Sequence, residues 1–243
     1  MARHGAPDWS KYRRDAATFS VEDLAEHAAR LGSIDVFDRR GDVLFLENFE
    51  HGLGAWATGA LGAGDSVAIS PAWSRSGGYC ALLTNGTSGA DETTLTTAVH
   101  YPQLSLFGFE SAVAFDAGLW RLHWDIRHYD GVHFHQFLVR YDYATKLLQV
   151  SNAGTYVTLA TGLKLVVFGD YLYHDTKLVV DLSSNRYVRF ILNDSEYDLS
   201  AYSRRELSST ESPHVNVEIR VYGIVTVASH VYVDNVILTQ NEP

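Results

Sequence analysis

His128, His133 and His135 stand close together around an Asp130-Gly131 pair. Neutral imidazoles at alternating strand positions are transition-metal ligands, and an His-x-His strand with a third His across a hairpin suits a three-nitrogen zinc site. The same stretch carries a second polar set. Arg121, His123, Asp125 and Arg127 alternate with Leu122, Trp124 and Ile126, and Phe134, Gln136 and Arg140 follow the pair. Planar donors and a carboxylate around an aromatic suit sugar hydroxyls. They suit a polar protein interface or a wet sheet face equally well. Asp125 and Asp142 come nearest to a glycosidase pair, which needs one protonated and one ionised acid about 5–10 Å apart. No Glu-x-Asp-x-Glu run is present, and each of these aspartates sits among Arg and His, so catalysis by a carboxylate pair is not expected.

These residues need a hairpin to gather them. With Asp130-Gly131 as a two-residue type I′ loop, 128 faces 133, 126 faces 135 and 124 faces 137. The three histidines then share one face with Leu122, Trp124, Ile126, Phe137 and Val139, and the Arg-rich set takes the other. A period of two continues along the chain. Val43–Phe49, Ser66–Ser70, Cys80–Asn85, Thr93–Tyr101, Leu119–Tyr129, Val132–Tyr143, Lys177–Asp181, Tyr187–Asn193, Val215–Tyr222 and Val231–Leu238 are rich in β-branched and aromatic residues and end in Gly, Asn, Asp or Ser. Ten to fourteen strands without a helix-length pattern between them predict an all-β protein, an antiparallel β-sandwich over 42–243. Ser200–Ser212 reads as a polar loop within it.

Residues 1–41 differ in kind. Residues 1–19 form a polar arm bearing Trp9, Tyr12 and Phe19. A capping pattern at Ser20 and Asp23, a helical stripe of Val21, Leu24, Ala25, Ala28 and Leu31, and Gly32 beyond it predict one short helix over 21–31. The arm and helix, 1–32, are expected to dock onto a second copy in a homo-oligomer or onto other particle subunits.

The composition excludes several classes. Cys80 is the one cysteine among 243 residues, so no internal disulfide forms, and its strand context reads as a small buried apolar group. No apolar run reaches the roughly 20 residues that span a bilayer, so no membrane insertion is expected. A net charge of −10 argues against a nucleic-acid partner. The first residues carry no apolar signal region, so synthesis in the cytoplasm is expected. Phosphate-binding loops, nucleophile elbows and dinucleotide fingerprints are missing from the sequence.

Two stretches carry a family likeness. Glu47-Asn-Phe-Glu-His-Gly-Leu-Gly-Ala-Trp56, Ser76-Gly-Gly-Tyr-Cys-Ala-Leu-Leu83 and Val231-Tyr-Val-Asp-Asn-Val-Ile-Leu238 together resemble the β-jelly-roll carbohydrate-binding modules. That resemblance implies a structural calcium ion held by Glu50, the Gly78 carbonyl and Asp234, and calcium accepts such mixed oxygen shells. His174 to Asp198 is similar to the back-sheet hairpins of concanavalin-like lectins and glucanases, with loops at Ser183-Ser184-Asn185 and Asn193-Asp194. Both likenesses imply a jelly-roll sandwich, and a shared fold does not carry function.

The leading expectation is a non-enzymatic jelly-roll structural or binding protein, a component of a phage-like virion or other large particle, placed on its surface and able to bind glycans. A carbohydrate-binding module or lectin is the alternative, and a divergent glycoside hydrolase or lyase the third.

Overall fold

The computed structural model describes residue 38 and residues 40–87, 92–100, 102–167, 172–224 and 226–243. The expected arm and helix at 1–32 lie outside the described residues.

Among the described residues, sixteen strands build two antiparallel sheets of eight. In chain order they are β1 (Asp42–Glu47), β2 (Ala57–Ala60), β3 (Ser66–Ser70), β4 (Cys80–Asn85), β5 (Glu92–His100), β6 (Leu106–Phe115), β7 (Leu119–Tyr129) and β8 (His133–Asp142). The second half comprises β9 (Leu147–Asn152), β10 (Thr155–Ala160), β11 (His174–Asp181), β12 (Arg186–Leu192), β13 (Ser195–Asp198), β14 (Arg205–Ser208), β15 (His214–Gly223) and β16 (Ser229–Gln240). The first sheet runs β13-β12-β11-β6-β16-β4-β3 with β1 also on β16; the second runs β10-β9-β8-β7-β15-β5-β2 with β14 also on β8. This is the all-β antiparallel sandwich that the period-two sequence predicts, with the jelly-roll form that the resemblance implies. None of the described residues forms a helix long and apolar enough to cross a membrane.

Each sheet contains one long strand that changes partner halfway. β16 pairs with β4 through Ser229–Val233 and with β1 through Val236–Gln240. Between them lies a bulge at Asp234–Ile237, with Asn235 at a φ of 48°, a left-handed value that Asn tolerates better than most residues. The Val-Asp-Asn-Val run is therefore the point where the strand bends from one neighbour to the other. In the second sheet β14 takes His133–Gln136 of β8 and β9 takes Val139–Asp142.

Alternating side chains meet between the sheets. Leu122, Trp124, Ile126, Phe137 and Val139 from the second sheet and Phe107, Phe109, Val180 and Phe190 from the first are all fully or almost fully buried. Phe49 and Trp56 of the opening motif join this core with ring centroids 5.8 Å apart. Trp124 donates its indole N–H to Ser111, which shares a hydrogen bond with Thr176, so these three buried polar groups are paired. Cys80 is buried, and burial pushes its thiol up to about 12, leaving it inert as expected. On the outer side of the first sheet the buried Lys177 ammonium binds Glu242, Asp38 and Glu110, which ties down the chain just ahead of β1.

The β7–β8 hairpin corrects the expected register. Its turn residues are Gly131 and Val132, not Asp130 and Gly131, because Asp130 accepts the N–H groups of Val132 and His133 and Gly131 takes the positive φ. Asp130 and His133 close the turn, so His128 faces His135, Ile126 faces Phe137 and Trp124 faces Val139. A two-residue slip keeps every side chain on its expected face while changing its partner. The expected loop at Ser200–Ser212 also contains β14, a short edge strand with all four residues exposed.

Candidate functional site

The outward face of the second sheet gathers a dense polar group. Register places Thr158, Gln149, Arg140, His123, Arg220 and Thr94 in one row across β10, β9, β8, β7, β15 and β5. One step along, Asp125 faces Glu218, which faces Thr96; one step the other way, Asp142 faces Arg121, which faces Tyr222. β7 positions these side chains because its alternate residues, Leu122, Trp124 and Ile126, are committed to the core.

The carboxylates of this face are held largely by its own arginines. Asp125 is fully buried and accepts hydrogen bonds from Arg127 at 2.8 and 3.0 Å and from Gln136 at 2.7 Å. Burial pushes its carboxyl above the usual range despite Arg127, and one of its oxygens, Oδ1, has no partner. Glu218 accepts from Arg127 at 3.0 Å, Arg220 at 2.8 Å and Thr96 at 3.2 Å. Asp142 binds Arg121 at 3.0 Å and Thr145 at 2.9 and 3.0 Å; burial opposes its ionisation, but these partners outweigh it and hold the carboxyl low. Both aspartates considered for a glycosidase pair are thus engaged with different arginines.

The cationic row is organised differently. Arg140 donates to Gln149 at 2.9 Å and lies with its guanidinium carbon 3.3 Å from the Tyr156 ring centroid. Arg121 stacks on Trp120 at 3.9 Å. Between the arginines, His123 is 5% exposed and lies against Tyr222 and Tyr156, with ring centroids 5.0 and 6.4 Å away. Burial, then Arg220, Arg140 and Arg121, pull its pKa down to about 3, so the ring is neutral at ordinary pH. Its Nε2 is buried without a hydrogen-bond partner.

Of the residues expected to meet a ligand, Arg121, His123 and Arg140 therefore come together, and Asp125, Arg127 and Gln136 form the adjoining ion-pair group. Phe134 stands apart near the hairpin end, stacked on Tyr129, which itself stacks on His214 at 4.2 Å. Sequence reasoning missed Gln149, Tyr156, Glu218, Arg220 and Tyr222. The alternation of Glu218, Arg220 and Tyr222 with Val217, Ile219 and Val221 marks an outward face, but nothing local says that β15 lies beside β7.

His128 and His135 face each other with ring centroids 5.8 Å apart, and His133 is 6.1 Å from His135. Two of the three have protein partners: His128 Nδ1 bonds to Asn185 at 2.7 Å, and His135 bonds to Asp130 and Arg204. Glu50 and Asp234 meet at one turn, as the resemblance implies, but the atoms aimed at them are amide hydrogens. Glu50 accepts from the N–H of Gly78 and Tyr79, and Asp234 from those of Arg75, Ser76 and Asn235. Backbone N–H groups thus hold Glu50 Oε1 and both oxygens of Asp234, whereas a calcium ion takes oxygen donors. No group of three or more His, Cys, Asp or Glu among the described residues is arranged to hold a metal.

No family model matches this sequence, and no curated protein matches it. Solved structures do. The endo-β-1,4-glucuronan lyase of the fungus Trichoderma reesei is 11% identical, with 82% of this chain and 96% of that chain covered at a TM-score of 0.57. The carbohydrate recognition domain of Emp46p in its potassium-bound form is 10% identical, covering 81% and 94% at 0.50. The module TmCBM61 in complex with β-1,4-galactotriose is 11% identical, covering 80% and 94% at 0.42. The glucuronan lyase and the carbohydrate recognition domain share this chain's jelly-roll sandwich fold.

Proposed function

We propose that the chain is a glycan-binding jelly roll whose binding surface is the outward face of the second sheet. One observation carries the reading: the row Gln149–Arg140–His123–Arg220 offers planar polar groups side by side, flanked by the rings of Tyr156 and Tyr222. Sugars are recognised by that combination, with planar groups meeting paired hydroxyls and aromatic faces meeting C–H surfaces. The carbohydrate recognition domain and the glucuronan lyase among the similar structures, whose names concern glycans, support the same reading. A glycan array is the test. Binding to at least one glycan class, lost in Tyr156→Ala or Tyr222→Ala while the fold is retained, is expected; an array without binding overturns the reading.

Catalysis on such a glycan is a second reading, supported by the unpartnered imidazole Nε2 of His123 and its place between two tyrosine rings. Release of reducing ends or unsaturated products from a polysaccharide panel, abolished by His123→Ala, tests it. The role in a phage-like particle rests on the arm at 1–32. A truncation lacking those residues that assembles as the full chain does would remove it.

A further inference from the structure

We propose that Arg140 and His123 form a subsite for the anionic substituent of an acidic sugar, a carboxylate or a sulfate ester, on the glycan bound by the second sheet. This rests on the glycan-binding reading and specifies its ligand.

The argument starts from how charges are distributed among the four arginines of this face. Arg127 has Asp125 and Glu218, Arg220 has Glu218 and Glu92, and Arg121 has Asp142, all within salt-bridge distance. Arg140 has no carboxylate at that distance among the described residues, Asp142 acting on it only from farther off; its neighbours are the neutral amide of Gln149 and the Tyr156 phenol. A half-buried guanidinium without a counter-ion lacks the group that most stabilises it.

Its geometry is also fixed in advance. The Tyr156 ring supports one face of the guanidinium and Gln149 takes Nε, which leaves the Nη1 and Nη2 edge for a partner. That edge is the fork matching a carboxylate or sulfate with two parallel hydrogen bonds, and its rigidity reduces the entropy lost on binding.

His123 supplies the second, independent observation. It faces Arg140 on one neighbouring strand and Arg220 on the other, and Arg121 lies on its own strand. Like charges gathered this way repel, and the imidazole between them stays neutral rather than adding another. Its Nε2 is buried and unpartnered, a costly state for a polar atom unless a ligand group completes it. An anion at Arg140 answers both features at once: it compensates the unmatched cation and brings an oxygen to the imidazole. Asp125 and Glu218, one row away, are already held by Arg127, Arg220 and Gln136 and do not compete for Arg140.

The test is calorimetric titration of the full chain with oligouronate hexamers (glucuronate, galacturonate and mannuronate), their carboxyl-reduced neutral counterparts, and a sulfated galactan oligosaccharide. At least one anionic ligand is expected to bind about tenfold or more tightly than its neutral counterpart, as a charge-assisted bidentate contact implies. Which one does so tells carboxylate from sulfate. In Arg140→Gln, checked for unchanged thermal unfolding, that ratio is expected to fall towards one, with Arg140→Lys intermediate because it keeps the charge but not the fork. Equal binding of neutral and anionic forms by the wild type, or an undiminished ratio in Arg140→Gln, overturns the subsite and leaves the glycan-binding reading standing. Failure of every glycan, charged or neutral, to bind overturns both.

Discussion

The hydroxyl of Tyr187, on β12 of the first sheet, crosses the core to accept the backbone N–H of Leu138 on β8 of the second at 2.7 Å. It also donates to the Ser151 carbonyl at 2.9 Å. Leu138 sits where β14 and β9 part from β8, so no strand is placed to receive its N–H, and the phenol stands in for one. Tyr187→Phe leaves an N–H and a carbonyl buried without that partner. It should destabilise the fold by about 2 kcal/mol, read as a lower urea midpoint with unchanged slope.

Arg127 is the counter-ion of a fully buried carboxylate. Removing it in Arg127→Met strands Asp125 beside Glu218 and should cost about 3–5 kcal/mol in urea unfolding. The double variant Asp125→Asn/Arg127→Met should recover a large part of that loss. A double variant no more stable than the single one would show that Arg127 acts by packing alone.

His123 makes stability depend on pH. Burial and the three arginines lower its pKa from 6.5 to about 3, so between those values the unfolded chain takes up a proton that the folded chain refuses. Stability therefore falls as pH falls from 6.5 towards 3. In His123→Gln this acid limb should be shallower, while His128 and His174, also lowered by burial, contribute equally to both proteins. Parallel stability curves between pH 4 and 7 would contradict the shift.

Calcium should have little effect. Because backbone N–H groups already hold Glu50 Oε1 and both oxygens of Asp234, adding calcium or EDTA is expected to leave the thermal midpoint unchanged. A rise of several degrees with calcium, abolished by Glu50→Gln, would restore the ion that the motif implies.

Most of the strand frame was legible from alternation alone. Ser66–Ser70, Cys80–Asn85 and Leu119–Tyr129 occur with the predicted bounds, since each has one face in the core and Gly, Asn or Asp nearby. The largest omission is β6, Leu106–Phe115. It is central in its sheet and buried on both faces, so Leu-Phe-Gly-Phe-Glu-Ser-Ala-Val-Ala-Phe shows no period of two. β9 and β10 were missed because their residues are mostly half-buried and polar, and Gln149 and Tyr156 went with them. In the candidate site, the shared face of Arg121, His123 and Arg140 was readable from parity. The arginine without a carboxylate was not, because pairing depends on β15 and β9, and neighbours across a sheet leave no trace in local spacing.

The strand order also governs how the chain reaches its native state. β15 lies between β5 and β7, and β16 lies between β6 and β4, so each sheet takes an inner strand from residues 214–240. Until that stretch is available, β5 and β7 have no strand between them, nor do β4 and β6. These long-range pairings are the slow, aggregation-exposed kind, and folding during synthesis must wait for them. Loss of this last segment would leave both halves of the sandwich open at once, whereas loss of the edge strand β13 would remove the partner of β12 alone.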